Sequence, residues 1–454
     1  GEALVRHGLV PQLSFVDEEY QPARQMRLLG IFSKNCIEWL LCDLAANLFG
    51  ITLVPLYATL GPDAMTYILQ ITRLSTIVAS LEGAVMLCGL AVGTTHLRTV
   101  IVIDDDECNK FDTDTYDSLL SSSSSIKFQK WSQFYASISK KYKNEKLTDE
   151  NYKNDKNSNV TENENNTNDV IIRPPVVSPE SVQTICYTSG TTNDPKGVLV
   201  THANFCAGVA GCIRGPFASV QLTINEDDCH ISYLPLPHIF ERVICYLVYS
   251  LGARIGLYSG DVNRLMRDIQ LLQPTCFVSV PRLFNKVNHT LSLRLQEMSP
   301  FMRWVFQKGL ESKLNKIHKT ENPEHWLWDN VLFGRFRRLL GGKVRYCLTG
   351  GAPMDLEIQN KMKAFFSCHV LQGYGLTESL GATFVQLPGM VSGNVGCPVP
   401  CVEFRIESVP EMDYDAKDWT GELLIRGPSL TPGYFLAPDE TKSAFGRDGW
   451  SAHL

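Results

Sequence analysis

The order of predicted elements gives an α/β fold: two wound α/β subdomains followed by a small β-barrel. Three observations carry this reading. Short apolar runs of strand length alternate with segments of helical periodicity on both sides of a polar central tract, the pattern of a wound sheet. Glycine-rich turns follow several of the strands, where open α/β sheets hold their ligands. From Gly389 onward the texture changes to alternating β runs with Gly and Pro roughly every eight to twelve residues, as in a small barrel.

With 454 residues, 44% hydrophobic and 20% charged, the chain has the composition of a soluble globular protein with more than one subdomain. A net charge of -6 gives no basis for nucleic-acid binding. The 14 cysteines are scattered through apolar segments without a CxxC pair or a metal-like Cys/His grouping. Cys397 and Cys401 flank Pro-Val-Pro with no histidine nearby. Reduced thiols facing a cytosol are therefore expected. No signal peptide is visible and the first residue is Gly1, so the true N-terminus is expected to lie outside this sequence. The most hydrophobic stretch, 37–60, is interrupted by Glu38, Asp43 and Pro55, so no transmembrane helix is expected.

In order, Leu28–Phe32 reads as a buried strand and Asn35 as a cap. Ile37, Leu40, Leu41, Leu44, Ala45 and Leu48 then recur at helical spacing, which predicts the helix's core face. Ile51–Leu56 is the next strand, Pro62–Gln70 a helix, and Val100–Ile103 a further strand. From 107 to 173 the Ser run and the Asn-, Lys-, Asp- and Glu-rich tract predict a largely disordered polar insertion. Beyond it, Thr201 is placed to cap a helix carrying Phe205, Val209, Cys212 and Ile213. Val243–Ser250 is an apolar helix, Arg264–Leu272 another, and 299–340 a basic and aromatic helical region whose charges read as a solvated face. The expected divisions are 1–106, 107–173, 174–388 and 389–454.

Between two β-prone runs sits Tyr187-Thr188-Ser189-Gly190-Thr191-Thr192-Asn193-Asp194-Pro195-Lys196-Gly197. Its hydroxyls, glycines and single cation suit a polyphosphate. It is not a Walker A loop, because Lys196 precedes Gly197 and a strand follows. His238, in Leu234-Pro235-Leu236-Pro237-His238, occupies a turn where a lone histidine is more often structural. Thr349-Gly350-Gly351-Ala352-Pro353 ends a strand with small residues that let a flat ring approach the backbone. Gln372-Gly373-Tyr374-Gly375-Leu376-Thr377-Glu378 offers an aromatic ring, a hydroxyl and one carboxylate suited to Mg²⁺.

These four segments, in this order, resemble the motifs of the adenylate-forming (AMP-binding) superfamily. The block from Leu234 to Val243, Gly260-Asp261-Val262, Gln273-Pro274-Thr275 and Val280-Pro281-Arg282-Leu283 are similar to the long-chain acyl-CoA synthetases within it. The resemblance covers nearly the whole chain outside the polar tract and implies the large N-terminal domain of those enzymes. It implies ATP-dependent activation of a long-chain fatty acid to acyl-CoA through an acyl-adenylate, with ATP, coenzyme A and Mg²⁺. Carried over position by position, Thr188 and Glu378 hold the metal, and Ser189, Gly190, Thr191, Thr192 and Lys196 cradle the β- and γ-phosphates. Gly350, Gly351 and Ala352 flank the adenine, Tyr374 stacks on it, and Gln372, Gly373 and Gly375 complete that turn. Thr377 meets the α-phosphate and His238 lies beside the substrate carboxylate.

Two positions depart from the family. Asn193 stands where it has Gly, a change that Asn tolerates because it visits left-handed backbone. After Gly449-Trp450 the sequence reads Ser-Ala-His-Leu where the family continues to an Asp that holds the ribose, a hinge, and a small domain with a catalytic lysine. The expectation is an incomplete fragment with little activity of its own. Placement in the cytoplasm or on the cytosolic face of the endoplasmic reticulum or another membrane, with peripheral contact, is expected, and the oligomeric state is left open. Two other readings stand beside this one: an adenylating enzyme for an aryl or medium-chain acid, and a non-catalytic nucleotide or fatty-acid binder.

Overall fold

The computed structural model describes residues 1–15, 24–90, 96–104, 111–122, 125–144, 174–188, 194–218, 222–446 and 449–452. The chain divides into two units, one of Gly1–Ser33 with Glu38–Ser178 and the other of Lys34–Ile37 with Pro179–Leu454.

The first unit is built from α1 (Glu2–Arg6), β1 (Gln12–Phe15), β2 (Arg24–Phe32), α2 (Ile37–Leu48), β3 (Thr52–Pro55), α3 (Pro62–Thr72), β4 (Thr76–Ala79), α4 (Leu81–Leu90), β5 (Thr99–Val102), α5 (Thr113–Ser122), β6 (Lys127–Lys130) and α6 (Trp131–Asn144). Strands β6-β5-β4-β2-β3 pair in parallel and β1 runs antiparallel along β2. Residues of β3, β4 and β5 are buried on both faces, which is why these strands are continuous apolar runs rather than alternating ones.

Two expectations are corrected here. The predicted core face of α2 is the wrong one: Ile37, Leu41, Leu44 and Leu48 are exposed, whereas Glu38, Trp39, Cys42, Asp43 and Ala46 are buried. One indole buries more area than a leucine, so Trp39 sets the orientation, and small Cys42 and Ala46 let the helix approach. The polar insertion does not begin at 107 either, because α5, β6 and α6 occupy 113–144 and Phe128 pairs with Val100 to extend the sheet. Tyr116, Leu119, Phe128 and Phe134 supply buried apolar groups that the Ser-rich composition concealed. Residues 145–173, the most polar part, lie outside the described residues.

The second unit opens with the hairpin β7 (Val182–Thr188) and β8 (Lys196–Thr201). Next come α7 (His202–Arg214), β9 (Cys229–Ser232), α8 (Ile239–Ser250), β10 (Arg254–Leu257), α9 (Leu265–Leu272), β11 (Cys276–Ser279), α10 (Pro281–Gln296), α11 (Pro300–Thr320), α12 (Trp326–Trp328), α13 (Gly334–Arg337), β12 (Tyr346–Thr349), α14 (Leu356–Phe366) and β13 (His369–Tyr374). It ends with β14 (Phe384–Val385), β15 (Cys397–Pro398), β16 (Glu403–Glu407), β17 (Glu422–Arg426), α15 (Pro438–Ala444) and β18 (Ser451–Ala452). The large sheet has the order β10-β9-β11-β12-β13-β14-β15, parallel as far as β13 and antiparallel beyond. As expected, Thr201 caps α7, accepting from Asn204 N–H while the Asn204 side chain accepts from Thr201 N–H.

The boundary expected at 389 is also corrected. Cys397–Pro398 still belongs to the large sheet, and the small β part is the antiparallel sheet β16-β17-β18, starting at Glu403. Asn35 is another correction. Instead of capping α2, its side chain donates to Ser232 Oγ (3.0 Å) and Leu234 O (2.7 Å) and accepts from Leu236 N–H (3.0 Å). It thereby fixes the proline-rich turn that leads to His238.

Candidate active site

The site is assembled from strand ends of the second unit. Antiparallel register places Thr188 opposite Lys196 and Tyr187 opposite Gly197, so a hydroxyl and an ammonium face each other at the mouth of the β7–β8 hairpin. Both are half-buried. Ser189, Gly190, Thr191 and Thr192, the proposed phosphate cradle between them, lie outside the described residues, as does Asn193.

Parallel pairing aligns Thr349 with Gln372, so β12 and β13 deliver their following turns side by side. Gln372 is buried, and its side-chain oxygen accepts from Met354 N–H (3.0 Å), tying the two turns together. A Cβ on Gly350 would meet Gly373 O at 3.3 Å and the Phe240 ring at 3.5 Å, so a side chain there would press on the neighbouring turn. Gly351, at φ +80°, and Ala352 are exposed and present backbone to solvent. Tyr374 is half-buried with its ring 6.1 Å from Phe384, and burial raises its phenol above the ordinary value.

The turn after Tyr374 is held by its own backbone. Gly381 N–H donates to Leu376 O (2.7 Å), Leu380 N–H to Thr377 O (3.2 Å), and Leu376 N–H to Ser379 Oγ (3.0 Å). Gly375 approaches Gly381 so closely that a Cβ would lie 2.4 Å from its carbonyl oxygen. Thr377 and Glu378 are consequently half-buried on a rigid loop rather than on a helix. His238 is the N-cap residue of α8, and the next two residues, Ile239 and Phe240, pack against Gly381. The imidazole is exposed by accessible area, yet desolvation by its packed neighbours holds it below the usual value, so it is neutral at pH 7.

Two residues of the site escaped the sequence reading. Phe240 is the wedge between Gly350 and Gly381. Tyr434 donates its hydroxyl to Glu378 Oε1 at 2.9 Å, while Lys196 Nζ lies 5.6 Å from its ring centroid. Tyr434 arrives because the segment after β17 runs back along β8: Leu199 N–H donates to Gly433 O (3.0 Å) and Phe435 N–H to Gly197 O (2.7 Å). A Pro-Gly-Tyr turn carries no chemistry-specific spacing that would point to it. The expectation of no metal-like grouping is likewise corrected, since β9 and α8 bring His230, Glu241 and Cys245 within 4.8 Å of one another. Spacing along the chain cannot reveal a cluster shared by a strand and a helix.

The arrangement places a cation, hydroxyls, one carboxylate, an aromatic ring and exposed backbone at one end of the second unit. The sequence pattern of the family described as AMP-binding enzyme matches residues 23–435. Long-chain-fatty-acid–CoA ligase 5 of Rattus norvegicus is 32% identical over 435 residues, 95% of this chain and 58% of that protein. Long chain acyl-CoA synthetase 4 of Arabidopsis thaliana is 34% identical over 432 residues, 93% of this chain and 59% of that protein. The chain therefore spans a little over half the length of these relatives. Among solved structures, the A domain of carboxylic acid reductase from Segniliparus rugosus, in complex with AMP and a co-purified carboxylic acid, has a TM-score of 0.68 at 20% identity, over 99% of this chain and 62% of that one. The N-terminal domain of FACL13 from Mycobacterium tuberculosis has a TM-score of 0.59 at 15% identity, over 99% and 94%. At these identities the structures show a shared fold, while the family pattern runs through nearly all of the sequence. The chain belongs to the AMP-binding enzyme family.

Proposed function

We propose that this chain forms the adenylating part of an ATP-dependent long-chain fatty acid–CoA ligase. The observation that carries the reading is the convergence of Thr188 and Lys196, paired across the β7–β8 hairpin, with Glu378, which shares Tyr434 with Lys196. The names of the 31–34% identical relatives supply the substrate class. In the first half-reaction the fatty-acid carboxylate attacks the α-phosphorus of ATP, forming the acyl–phosphate bond and expelling pyrophosphate. In the second, the thiol of coenzyme A attacks the acyl carbon, forms the thioester and releases AMP. A weak anionic nucleophile approaching an anion needs phosphate charge neutralised and the partners held in line.

Lys196 supplies positive charge to the β- and γ-phosphates, while Ser189, Gly190, Thr191 and Thr192 offer them hydroxyl and backbone N–H donors. Gly350, Gly351 and Ala352 present backbone to the adenine, Tyr374 offers its ring, and Gln372, Gly373 and Gly375 keep that turn in place. Thr377 meets the α-phosphate. His238, neutral at pH 7, lies beside the attacking carboxylate without adding a competing ion pair. The donors present fit Mg²⁺: Glu378 has one oxygen bonded to Tyr434, and Thr188 adds a hydroxyl, both hard oxygen ligands of the kind this ion takes alongside nucleotide phosphates. When bound, the ion neutralises phosphate charge and makes pyrophosphate a better leaving group. No helix among the described residues is long and apolar enough to cross a membrane. We place the protein in the cytosol or peripherally on a membrane's cytosolic face, where fatty acids partition.

The test is fatty-acid-dependent pyrophosphate release by the native protein that carries this chain, given palmitate, ATP and Mg²⁺, with and without coenzyme A. Activity with aryl or medium-chain acids but not palmitate would shift the substrate class, and no release with any acid would leave a binder. Glu378→Gln should lower the rate on the order of a hundredfold or more while leaving the circular-dichroism spectrum intact. A fully active variant removes Glu378 from the metal site.

A further inference from the structure

Tyr434 stands between the two charged groups on which the ligase reading depends. Its backbone is fixed, with its N–H donating to Thr441 Oγ1 (3.0 Å) and a β-bridge to Val198. The same segment holds Glu378 a second time, because Thr431 N–H donates to Glu378 O (2.8 Å) and the Thr431 hydroxyl to Leu199 O and Gly433 O. Glu378 is thus anchored at its main chain by Thr431 and at its carboxylate by Tyr434. No ion pair joins Lys196 to Glu378 among the described residues, although one lies over the Tyr434 ring and the other accepts from its hydroxyl. In a partly desolvated cleft, opposite charges attract strongly and would close the space that phosphates need.

We propose that Tyr434 is a positioning residue for nucleotide-borne metal: it holds Glu378 by one carboxylate oxygen, leaves the other for the ion, and keeps Lys196 apart from it. A tyrosine hydroxyl is protonated at neutral pH, so it serves Glu378 as a donor. The ring gives the lysine a favourable face without neutralising it. This inference rests on the ligase reading above.

Tyr434→Phe keeps the ring and every backbone bond and removes only the hydroxyl. Mn²⁺ uptake with a non-hydrolysable ATP analogue, followed by electron paramagnetic resonance of the free ion, reads the site without turnover. The half-saturating Mn²⁺ should rise about tenfold, as for loss of a group that orients a metal ligand, and the melting temperature should hold. With turnover, the variant's kcat at saturating Mn²⁺ should stay within about twofold of wild type, a split that a merely structural role would not give. Tyr434→Leu should also weaken analogue binding, through Lys196. A wild type that takes up Mn²⁺ with the analogue beside a Tyr434→Phe variant with an unchanged midpoint overturns this inference alone. A wild type that takes up none overturns the ligase reading of the site and this inference with it.

Discussion

His230 and Glu241 are wholly shut off from solvent and face each other at 3.0 Å, with Cys245 Sγ 3.7 Å from the same carboxylate oxygen. Burial works against charge on the imidazole, but Glu241 and Cys276 outweigh it and push its pKa up from 6.5 to about 10. A group whose pKa is raised in the fold contributes stability in full below the unfolded value and loses it as pH rises through the folded one. The pair should therefore stabilise fully below about pH 6.5 and progressively less toward pH 10, with a slope of at most about 1.4 kcal/mol per pH unit. Urea unfolding at pH 7 and pH 9 checks this. The decline should be steeper in the wild type than in His230→Gln, and equal declines would remove His230 from the account. The protonated imidazole already serves Glu241, so a metal ion among these three ligands would first have to displace that proton.

Asn35 shows how an element depends on a residue nearly two hundred positions away. Its amide satisfies Leu234 O and Leu236 N–H, backbone groups of a turn with no ladder of its own. Asn35→Ala leaves both unpaired in a buried setting and should cost roughly 2 kcal/mol, read as a lower denaturant midpoint. It should also weaken fatty-acid-dependent turnover, because His238 follows that turn. An unchanged midpoint would mean that water replaces the amide. The sequence made this turn, the strands and the Thr201 cap legible, since each rests on local spacing. It misplaced Asn35, the buried face of α2 and the start of the polar tract, because each depends on tertiary partners. At α2 six apolar residues formed a plausible stripe, but the single large Trp39 decided which face turned inward. In the site, the glycine turns, Thr188, Lys196 and Glu378 could be read from motifs. Tyr434 could not, because it joins them only when a segment more than two hundred residues downstream returns to β8.

At the scale of the whole molecule, every described residue assigned to the nucleotide lies in the second unit, which begins with the short segment Lys34–Ile37 and resumes at Pro179. The first unit contributes the parallel-paired strands β2 to β6 and none of those residues. Ligand stabilisation should follow this division. A bound nucleotide at a hundredfold excess over its Kd adds about 2.7 kcal/mol to any opening that must release it. Hydrogen exchange with an AMP or acyl-adenylate analogue should therefore slow in peptides covering 182–188, 196–201, 346–353, 369–381 and 431–435. Peptides covering the first unit's strands 76–79 and 99–102 should exchange as before, apart from any opening in which the whole chain unfolds. Protection of 431–435 is the discriminating result, because that segment holds Glu378 through Tyr434 and Thr431. Equal slowing in both units would show that the first unit contributes to nucleotide binding, and slowing of the first unit alone would move the site out of the second.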